Sequence, residues 1–189
     1  MAVFPVFLKL EGRRVLVVGG GPVAAGKLRA LVTAGARITV VAPDVSSSIE
    51  ELAGKIEVLR RPFVESDLDG VWYVVAAAPP EVNRAVSKAA EARRLFVNAV
   101  DDMENATAYL GAIVQRAGVT IALSTDGEAP ALAGLMREAL ELVLPDDLEE
   151  WMALSKEERR KWLAARVPMD YRRPLLLEAL NKLYRLQSA

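Results

Sequence analysis

The fold is decided by the stretch Val15-Leu16-Val17-Val18-Gly19-Gly20-Gly21-Pro22-Val23-Ala24. Its first four residues form a continuous apolar run, which is typical of a strand buried on both faces of a parallel sheet. Gly19, Gly21 and Ala24 then fill the G-x-G-x-x-A pattern of a dinucleotide-binding turn between a strand and a helix. The stretch therefore predicts a strand, a tight turn and a helix whose N-terminus faces phosphate groups.

Each residue type in this pattern has a physical reason. Gly19 permits a tight turn out of the strand, Gly21 lets the backbone approach a pyrophosphate without a Cβ in the way, and Ala24 keeps the helix close to the sheet. The free N–H groups and positive dipole end of the helix then favour an anion. A purely structural turn would also use glycines, but the position after the first strand and before a helix favours a nucleotide.

The next hundred residues alternate between short β-branched runs and helical patterns, which predicts an α/β fold with a Rossmann-type doubly wound parallel sheet. The predicted strands are Arg14 to Val18, Ile38 to Ala42, Glu57 to Arg60, Trp72 to Ala77 and Leu95 to Val97. The predicted helices between them are Val23 to Ala34 and Glu81 to Arg94.

The pattern changes after about Asp101. Two extended segments, a helix and a long helical tail are predicted at Thr107 to Val114, Val119 to Ser124, Pro130 to Leu144 and Leu148 to Leu186, with an interruption near Val167-Pro168. We therefore expect three parts: a dinucleotide-binding Rossmann domain at 1–113, a small mixed α/β segment at 114–145 and a helical C-terminal domain at 146–189.

The chain of 189 residues contains neither histidine nor cysteine. This excludes disulfides, zinc fingers and Ser-His-Asp or Cys-His catalysis. Proton transfer must come from a carboxylate, lysine, tyrosine or water, and no dedicated metal site is predicted.

The formal net charge is only -1, which argues against nucleic-acid binding. The charge is uneven, because residues 156–189 contain nine basic and four acidic residues. This basic tail could attract an anion, although a solvated helical surface is the simpler interpretation.

The longest apolar stretch, Val71 to Pro80, is far shorter than the roughly 20 residues of a membrane span, and no leader is recognisable, so we expect a cytoplasmic protein that binds no membrane.

Two acidic segments are candidates for the cofactor and for chemistry. Pro43-Asp44 follows the second strand, where an acidic residue binds the ribose hydroxyls of NAD, although Asp44 could instead cap a loop. No arginine adjoins it to bind a 2′-phosphate, which favours NAD over NADP.

The other acidic segment is Asn98-Ala99-Val100-Asp101-Asp102, which follows the fifth strand at the ligand-binding edge of such a sheet. A carboxylate there could transfer a proton or simply cap a turn.

A third segment, Ser124-Thr125-Asp126-Gly127-Glu128-Ala129-Pro130, precedes a predicted helix. Its hydroxyls and glycine, chiefly Ser124, Thr125 and Gly127, could hold an anionic substrate at the start of the helix. The acidic side chains of Asp126 and Glu128 would repel an anion, so an ordinary helix cap is the alternative.

Taken in order, these motifs resemble the precorrin-2 dehydrogenases, including the dehydrogenase and chelatase part of siroheme synthase. The resemblance covers about residues 3 to 144 and rests on Phe4-Pro5-Val6-Phe7-Leu8, Gly12 to Gly21 with Val23, Ala24 and Lys27, Gly35 to Pro43, Asn98 to Asp101, and the Ser-Thr-x-Gly-x-x-Pro segment from Ser124. Asp126, Ala129 and Ala78 depart from the glycine, serine and threonine that the family usually has there.

The resemblance implies NAD-dependent oxidation of precorrin-2, a tetrapyrrole, to sirohydrochlorin by a homodimer joined through the segment 114–145. It places the proton-transferring aspartate at Asp101 and further cofactor contacts at Pro22, Val23, Pro43 and Asp44. The many carboxylates of the substrate would give the basic tail a function. The alternatives are an enzyme that also inserts Fe²⁺ into sirohydrochlorin, a non-catalytic regulator that senses NAD(H), and an oxidoreductase for an unrelated small acid.

Overall fold

The computed structural model describes residues 3–187, and its regular elements follow the predicted alternation. The strands are β1 Arg14–Val18, β2 Arg37–Val41, β3 Glu57–Leu59, β4 Tyr73–Ala76, β5 Phe96–Ala99, β6 Ala112–Arg116 and β7 Val119–Leu123. The α-helices are α1 Pro22–Thr33, α2 Ser47–Glu50, α3 Pro80–Ala92, α4 Pro130–Val143, α5 Leu148–Ala164 and α6 Met169–Gln187, and a 3-10 turn covers Glu65–Leu68.

The first five strands form one parallel sheet in the order β3-β2-β1-β4-β5. The chain runs outward from β1 to β3 and then returns to place β4 on the other side of β1. The strand order therefore reverses between β1 and β4, and open α/β sheets bind ligands outside the carboxyl ends of their strands at such a point. The predicted α/β fold with a doubly wound parallel sheet is confirmed.

Side chains of β1 alternate between two apolar cores, one on each face of the sheet. Val15 and Val17 belong to one core, while Leu16 and Val18 belong to the other. This alternation follows from the pleat of a strand, whose successive side chains point to opposite faces. The two cores are completed by buried residues of the flanking helices, chiefly Leu28 and Ile49 on one face and Leu68 and Val86 on the other.

Helix α1 begins and ends where the sequence predicts, within one residue. Pro22 occupies its first turn, where a missing N–H costs nothing. After the helix, Gly35 has a φ of 71°, the N–H of Gly35 binds the carbonyl of Val32 at 3.0 Å, and that of Ala36 binds Leu31 at 3.2 Å. These two bonds form a Schellman ending, which returns the chain to the sheet at β2.

The chain divides into two compact units, Met1–Leu110 and Gly111–Ala189. The boundary that the sequence placed after residue 113 lies inside β6. β6 pairs antiparallel with β7 along its whole length, and a hairpin strand cannot be divided without breaking its hydrogen bonds to its partner. The further division of the second unit at 145/146 stays a prediction.

The extended segment predicted at Thr107 to Val114 is wrong in its first half. The strand begins only at Ala112, because the N–H groups of Thr107 and Ala108 both donate to the carbonyl of Val97, each at 2.9 Å. This part of the chain therefore packs along β5 in the first unit instead of extending the hairpin of the second.

The second unit contains the β6–β7 hairpin, α4 and the two tail helices. The predicted interruption is confirmed, since α5 ends at Ala164 and α6 begins at Met169. The carbonyl of Val167 in this break accepts hydrogen bonds from Nε and Nη2 of Arg172, at 3.0 and 2.9 Å. Trp151 of α5 and Tyr184 of α6 meet edge to face, with 6.1 Å between ring centroids. Within residues 3–187, no helix is long and apolar enough to cross a membrane.

Shortening a side chain between α1 and the sheet tests this core. Leu28 is 0% exposed, so Leu28→Ala is expected to lower the free energy of unfolding by about 2–5 kcal/mol through lost burial and a cavity. Chemical denaturation of the variant and the wild type measures the difference. Arg29→Ala is the control, because Arg29 is exposed on the same helix and should change the stability by less than about 0.5 kcal/mol. Equal effects of the two substitutions would contradict the assigned packing.

Candidate functional site

The carboxyl ends of the five parallel strands lie level with one another. Strand register aligns a single row of residues across the sheet: Leu59, Val41, Val18, Ala76 and Ala99. The next residue of three strands extends the ladder by one hydrogen bond, with Gly19 N to Val41 O at 3.0 Å, Ala77 N to Val18 O at 2.8 Å and Val100 N to Ala76 O at 2.9 Å. The loops that leave these strands therefore start from one edge.

Gly19 and Gly20 lie against the backbone of neighbouring strand ends. A Cβ at Gly19 would lie 2.1 Å from the carbonyl oxygen of Ala77, and one at Gly20 would lie 1.9 Å from that of Asp44. Gly19 also has a φ of 120°, which L side chains rarely adopt. The N–H of Ser46 donates to the Gly20 carbonyl at 2.8 Å. These two glycines are therefore required for the fold of the loop itself.

Gly21 differs, because a Cβ built on it meets no heavy atom within 4 Å. It is the N-cap of α1, it has no side chain that could cap the helix, and Pro22 follows it. The N–H groups of Val23 and Ala24 therefore belong to the first turn, which has no intrahelical acceptors for them. Ala24 is buried against the sheet, as its position in the pattern predicts. An open space bordered by a glycine and a helix N-terminus fits the pyrophosphate of a dinucleotide.

Pro43 and Asp44 are exposed and lie beside this glycine loop, through the close approach of the Asp44 carbonyl to Gly20. The short helix that follows has Ser46 as its N-cap, without a side-chain capping bond. Asp44 lies beyond β2, where an acidic residue binds the cofactor ribose in dinucleotide-binding folds, and this contact stays a prediction.

The turn after β4 is held by a residue that sequence analysis did not select. Asn83 is only 4% exposed, and its Oδ1 accepts a hydrogen bond from the N–H of Ala78 at 2.9 Å. Pro79 and Pro80 follow Ala78 and have no N–H to donate. The available signal was an asparagine on the mainly apolar face of α3, since a polar side chain on a buried face needs a partner.

Asp101 and Asp102 have different surroundings although they are adjacent. Asp101 is exposed, directly follows the last ladder residue and has a φ of 56°. Asp102 is half-buried and accepts three hydrogen bonds from Asn105, from its N–H to Oδ1 at 3.2 Å and from Nδ2 to Oδ1 and Oδ2 at 2.9 and 2.8 Å. The sequence left the proton-transfer assignment open between them, and of the two only Asp102 is held in a turn by hydrogen bonds.

The loop that carries these aspartates is anchored at its base. The N–H of Val97 donates to Oγ1 of Thr107 at 2.9 Å, and Nδ2 of Asn98 donates to the carbonyl of Ala108 at 3.0 Å. Asn98 is 7% exposed, and its Oδ1 has no hydrogen-bond partner. Thr107 and Asn105 could not be selected from sequence, because nothing in the local pattern shows which strand the loop returns to.

Tyr73 is poorly placed for proton transfer at this edge. Burial raises the pKa of Tyr73 to about 12, and Tyr73 begins β4, at the opposite end of the strand from the ligand edge. Among the described residues, no group of three or more His, Cys, Asp or Glu side chains could hold a metal ion. Asp101 is an exposed acid directly beyond β5, the outermost strand on this side of the sheet.

The predicted substrate residues Ser124, Thr125 and Gly127 belong to the second compact unit. Oγ of Ser124 accepts a hydrogen bond from the N–H of Asp126 at 3.1 Å, and Oγ1 of Thr125 accepts one from the N–H of Ala129 at 3.3 Å. Gly127 has a φ of 79°. The hydroxyl oxygens therefore support the entry to α4, and their O–H groups can still donate to an anion. Substrate binding by this loop stays a prediction.

Known proteins match this chain in sequence and structure. A family model described as putative NAD(P)-binding matches residues 6–112. The siroheme synthase 3 of Aeromonas hydrophila is 41% identical over 176 residues, covering 92% of this chain and 38% of that protein. The siroheme synthase of Pseudomonas entomophila is 43% identical, also over 92% and 38% of the two chains. This chain thus spans about two fifths of the length of these siroheme synthases.

A solved structure matches the chain along nearly its whole length. It is SirC, a precorrin-2 dehydrogenase, with a TM-score of 0.77, 32% sequence identity and coverage of 97% of this chain and 92% of that one. The match extends into the helical tail, beyond the region on which the motif resemblance rests. The chain therefore belongs to the precorrin-2 dehydrogenase family, whose NAD(P)-binding domain it shares with these siroheme synthases.

Proposed function

We propose that this chain is an NAD⁺-dependent dehydrogenase that oxidises precorrin-2 to sirohydrochlorin in tetrapyrrole biosynthesis. The observation that carries the proposal is the common sheet edge, from which both the open glycine loop and the Asp101 loop start. Neighbouring strands are roughly 4.8 Å apart, so the loops that leave β1 and β5 start about 10 Å from each other. The similarity to SirC over 92% of its length supports the choice of substrate.

The cofactor would lie against the glycine loop. Gly19, Gly21 and Ala24 shape the approach of the backbone at the start of α1. The helix begins at Pro22, and its first turn offers the N–H groups of Val23 and Ala24 to the pyrophosphate. Pro43 and Asp44 border the ribose, whose two hydroxyls can donate to the Asp44 carboxylate. A 2′-phosphate there would be repelled by that charge, which favours NAD⁺ over NADP⁺. When bound, the nicotinamide accepts the hydride.

The protein's own chemical task is then proton transfer. Oxidation removes a hydride and a proton from the tetrapyrrole, so an acceptor for the proton is needed. Asp101 is exposed at the ligand edge and its carboxylate is available, whereas the Asp102 carboxylate is already hydrogen-bonded by Asn105. We therefore assign proton transfer to Asp101 and not to its neighbour.

Substrate binding is assigned to the second unit. The loop hydroxyls of Ser124 and Thr125, with the backbone at Gly127, would bind carboxylates of the tetrapyrrole. The tail contributes positive charge: Lys161 and Lys182 are paired with glutamates, while Arg159, Arg166 and Arg173 are exposed. Exposed arginines suit a polycarboxylate ligand because the guanidinium group binds carboxylates in a bidentate manner.

We further propose that the protein is a homodimer joined through the segment 114–145. The support is the apolar surface of this segment, where Leu135, Leu142 and Val143 of α4 are 64%, 88% and 77% exposed. Such exposed apolar area on one helix is typical of an interface. A cytoplasmic location likewise stays a prediction.

One assay tests the function directly. Purified protein, precorrin-2 and NAD⁺ should yield NADH together with the absorbance of sirohydrochlorin. NAD⁺ binding without turnover would instead identify a non-catalytic sensor. Adding Fe²⁺ after the product has formed tests the second candidate activity, metal insertion, which the names of the siroheme synthase relatives favour. Siroheme formation faster than in a protein-free control would demonstrate it.

Gly21→Ala tests the assigned position of the pyrophosphate. The new methyl group would enter open space in the free protein, and its backbone φ of -82° suits alanine, so the stability should not fall. The same methyl would obstruct the cofactor, and we expect the Kd for NAD⁺ to rise about tenfold or more. Gly54→Ala is the matched control, since its Cβ also meets no atom within 4 Å. Calorimetric titration and thermal unfolding measure both effects, and unchanged NAD⁺ affinity in Gly21→Ala would remove the pyrophosphate from this position.

Asp101→Ala tests the proton-transfer assignment. Loss of a general base typically costs about 10²–10⁴ in rate, so kcat should fall within that range while the Kd for NAD⁺ stays unchanged. Stopped-flow measurement of NADH formation provides the rate. Glu104→Ala serves as the control, because Glu104 is an exposed acid on the same loop and should leave the rate as it is. A fully active Asp101→Ala protein would rule out this role.

A further inference from the structure

We propose that Asp102 is a positioning residue: the hydrogen bonds between its carboxylate and Asn105 hold the Asp101 backbone in its left-handed conformation. This inference rests on the proposed function, because it specifies how the proton acceptor of that reaction is placed. The bonds between Asp102 and Asn105 are called the Asp102–Asn105 clasp below.

The backbone before Asp101 is held by the sheet. The N–H of Val100 donates to the carbonyl of Ala76 at 2.9 Å, the last ladder bond along β5. Asp101 follows immediately with a φ of 56°. Aspartate adopts this region more readily than most residues, but it is still a disfavoured conformation for a residue with a Cβ. The surroundings must therefore stabilise it, and the direction of the Asp101 side chain depends on that conformation.

The stabilising contacts come from the residue after it. Both carboxylate oxygens of Asp102 accept from Nδ2 of Asn105, at 2.9 and 2.8 Å, and Oδ1 also accepts from the Asn105 N–H at 3.2 Å. A side-chain carboxylate that accepts from groups three residues ahead closes a tight turn. The backbone after Asp101 thus cannot relax to an extended conformation without breaking the clasp.

The base of the loop has separate supports. Thr107 and Ala108 donate to the carbonyl of Val97, and Asn98 donates to the carbonyl of Ala108. At the tip, the hydroxyl of Tyr109 also donates to the carbonyl of Met103, at 3.3 Å. Removing the clasp therefore loosens the turn at residues 101–105 while the two ends of the loop stay bound to β5. This separation permits a test of the clasp without loss of the fold.

The test compares Asp102→Ala with Asp102→Asn in the full chain. Asp102→Ala removes every acceptor of the clasp, and kcat should fall about 10- to 100-fold, since misplacing a catalytic group by about 1 Å has effects of that size. The KM for NAD⁺ should stay within about twofold, because the glycine loop is untouched. Asp102→Asn should recover most of the rate, since its amide oxygen still accepts from Asn105. Asn105→Ala should resemble Asp102→Ala, with Glu104→Ala again as the control.

Two kinetic results would overturn the proposal. Wild-type kcat in Asp102→Ala would show that the clasp positions nothing, and an Asp102→Asn protein as inactive as Asp102→Ala would make Asp102 itself a proton-transfer group. Hydrogen exchange provides a readout without turnover: the N–H of Asn105 donates to the Asp102 carboxylate, so in Asp102→Ala this amide should exchange faster, and the amides of β5 should not. Unchanged exchange of the Asn105 amide would also overturn the proposal. If the wild type forms no NADH, the proposed function fails, and exchange still decides whether the clasp holds the loop.

Discussion

The structure depends on a close backbone contact between the loop after β1 and the ends of its neighbouring strands. Gly19 lies against the carbonyl of Ala77, and Gly20 lies against that of Asp44, at distances that leave no room for a Cβ. This contact draws the ends of three strands together at the point where the strand order reverses. Gly21 is consequently left facing open space, with the first turn of α1 behind it. The open space in which we propose to place the dinucleotide therefore follows from packing, before any ligand is considered.

The same sheet edge explains why two adjacent carboxylates have different surroundings. The ladder bond of Val100 fixes where β5 ends, and Asp101 emerges exposed beyond it. Both carboxylate oxygens of Asp102 accept hydrogen bonds from Asn105 within the same loop. The two residues are of the same type, so the difference between them comes from their environment. The proposed oxidation needs neither histidine nor cysteine, both of which the chain lacks, because the cofactor would supply the redox chemistry.

Much of the fold and part of the site could be predicted because the signals are local. Buried parallel strands are continuous apolar runs, and the glycine pattern marks one particular turn, so β1 and α1 were located within a residue. Thr107 was misassigned, because its partner Val97 is ten residues earlier in the chain and the intervening loop has no periodicity. Asn83 was missed for a similar reason. Its role is to accept a hydrogen bond from the Ala78 N–H, and this contact exists only in the folded protein.

The sequence by itself determined the α/β class, the dinucleotide-binding turn and the short set of groups able to transfer a proton. These three predictions follow from apolar periodicity, from glycine at defined spacing and from composition, which can all be read from the sequence without knowledge of tertiary contacts. Tertiary structure alone decided that Gly19 and Gly20 serve the fold while Gly21 faces open space, and that Asp102 is bound while Asp101 is exposed. The three glycines, like the two aspartates, differ in the groups that lie next to them in the folded protein. Those neighbours come from other strands and loops, so the local sequence does not reveal them.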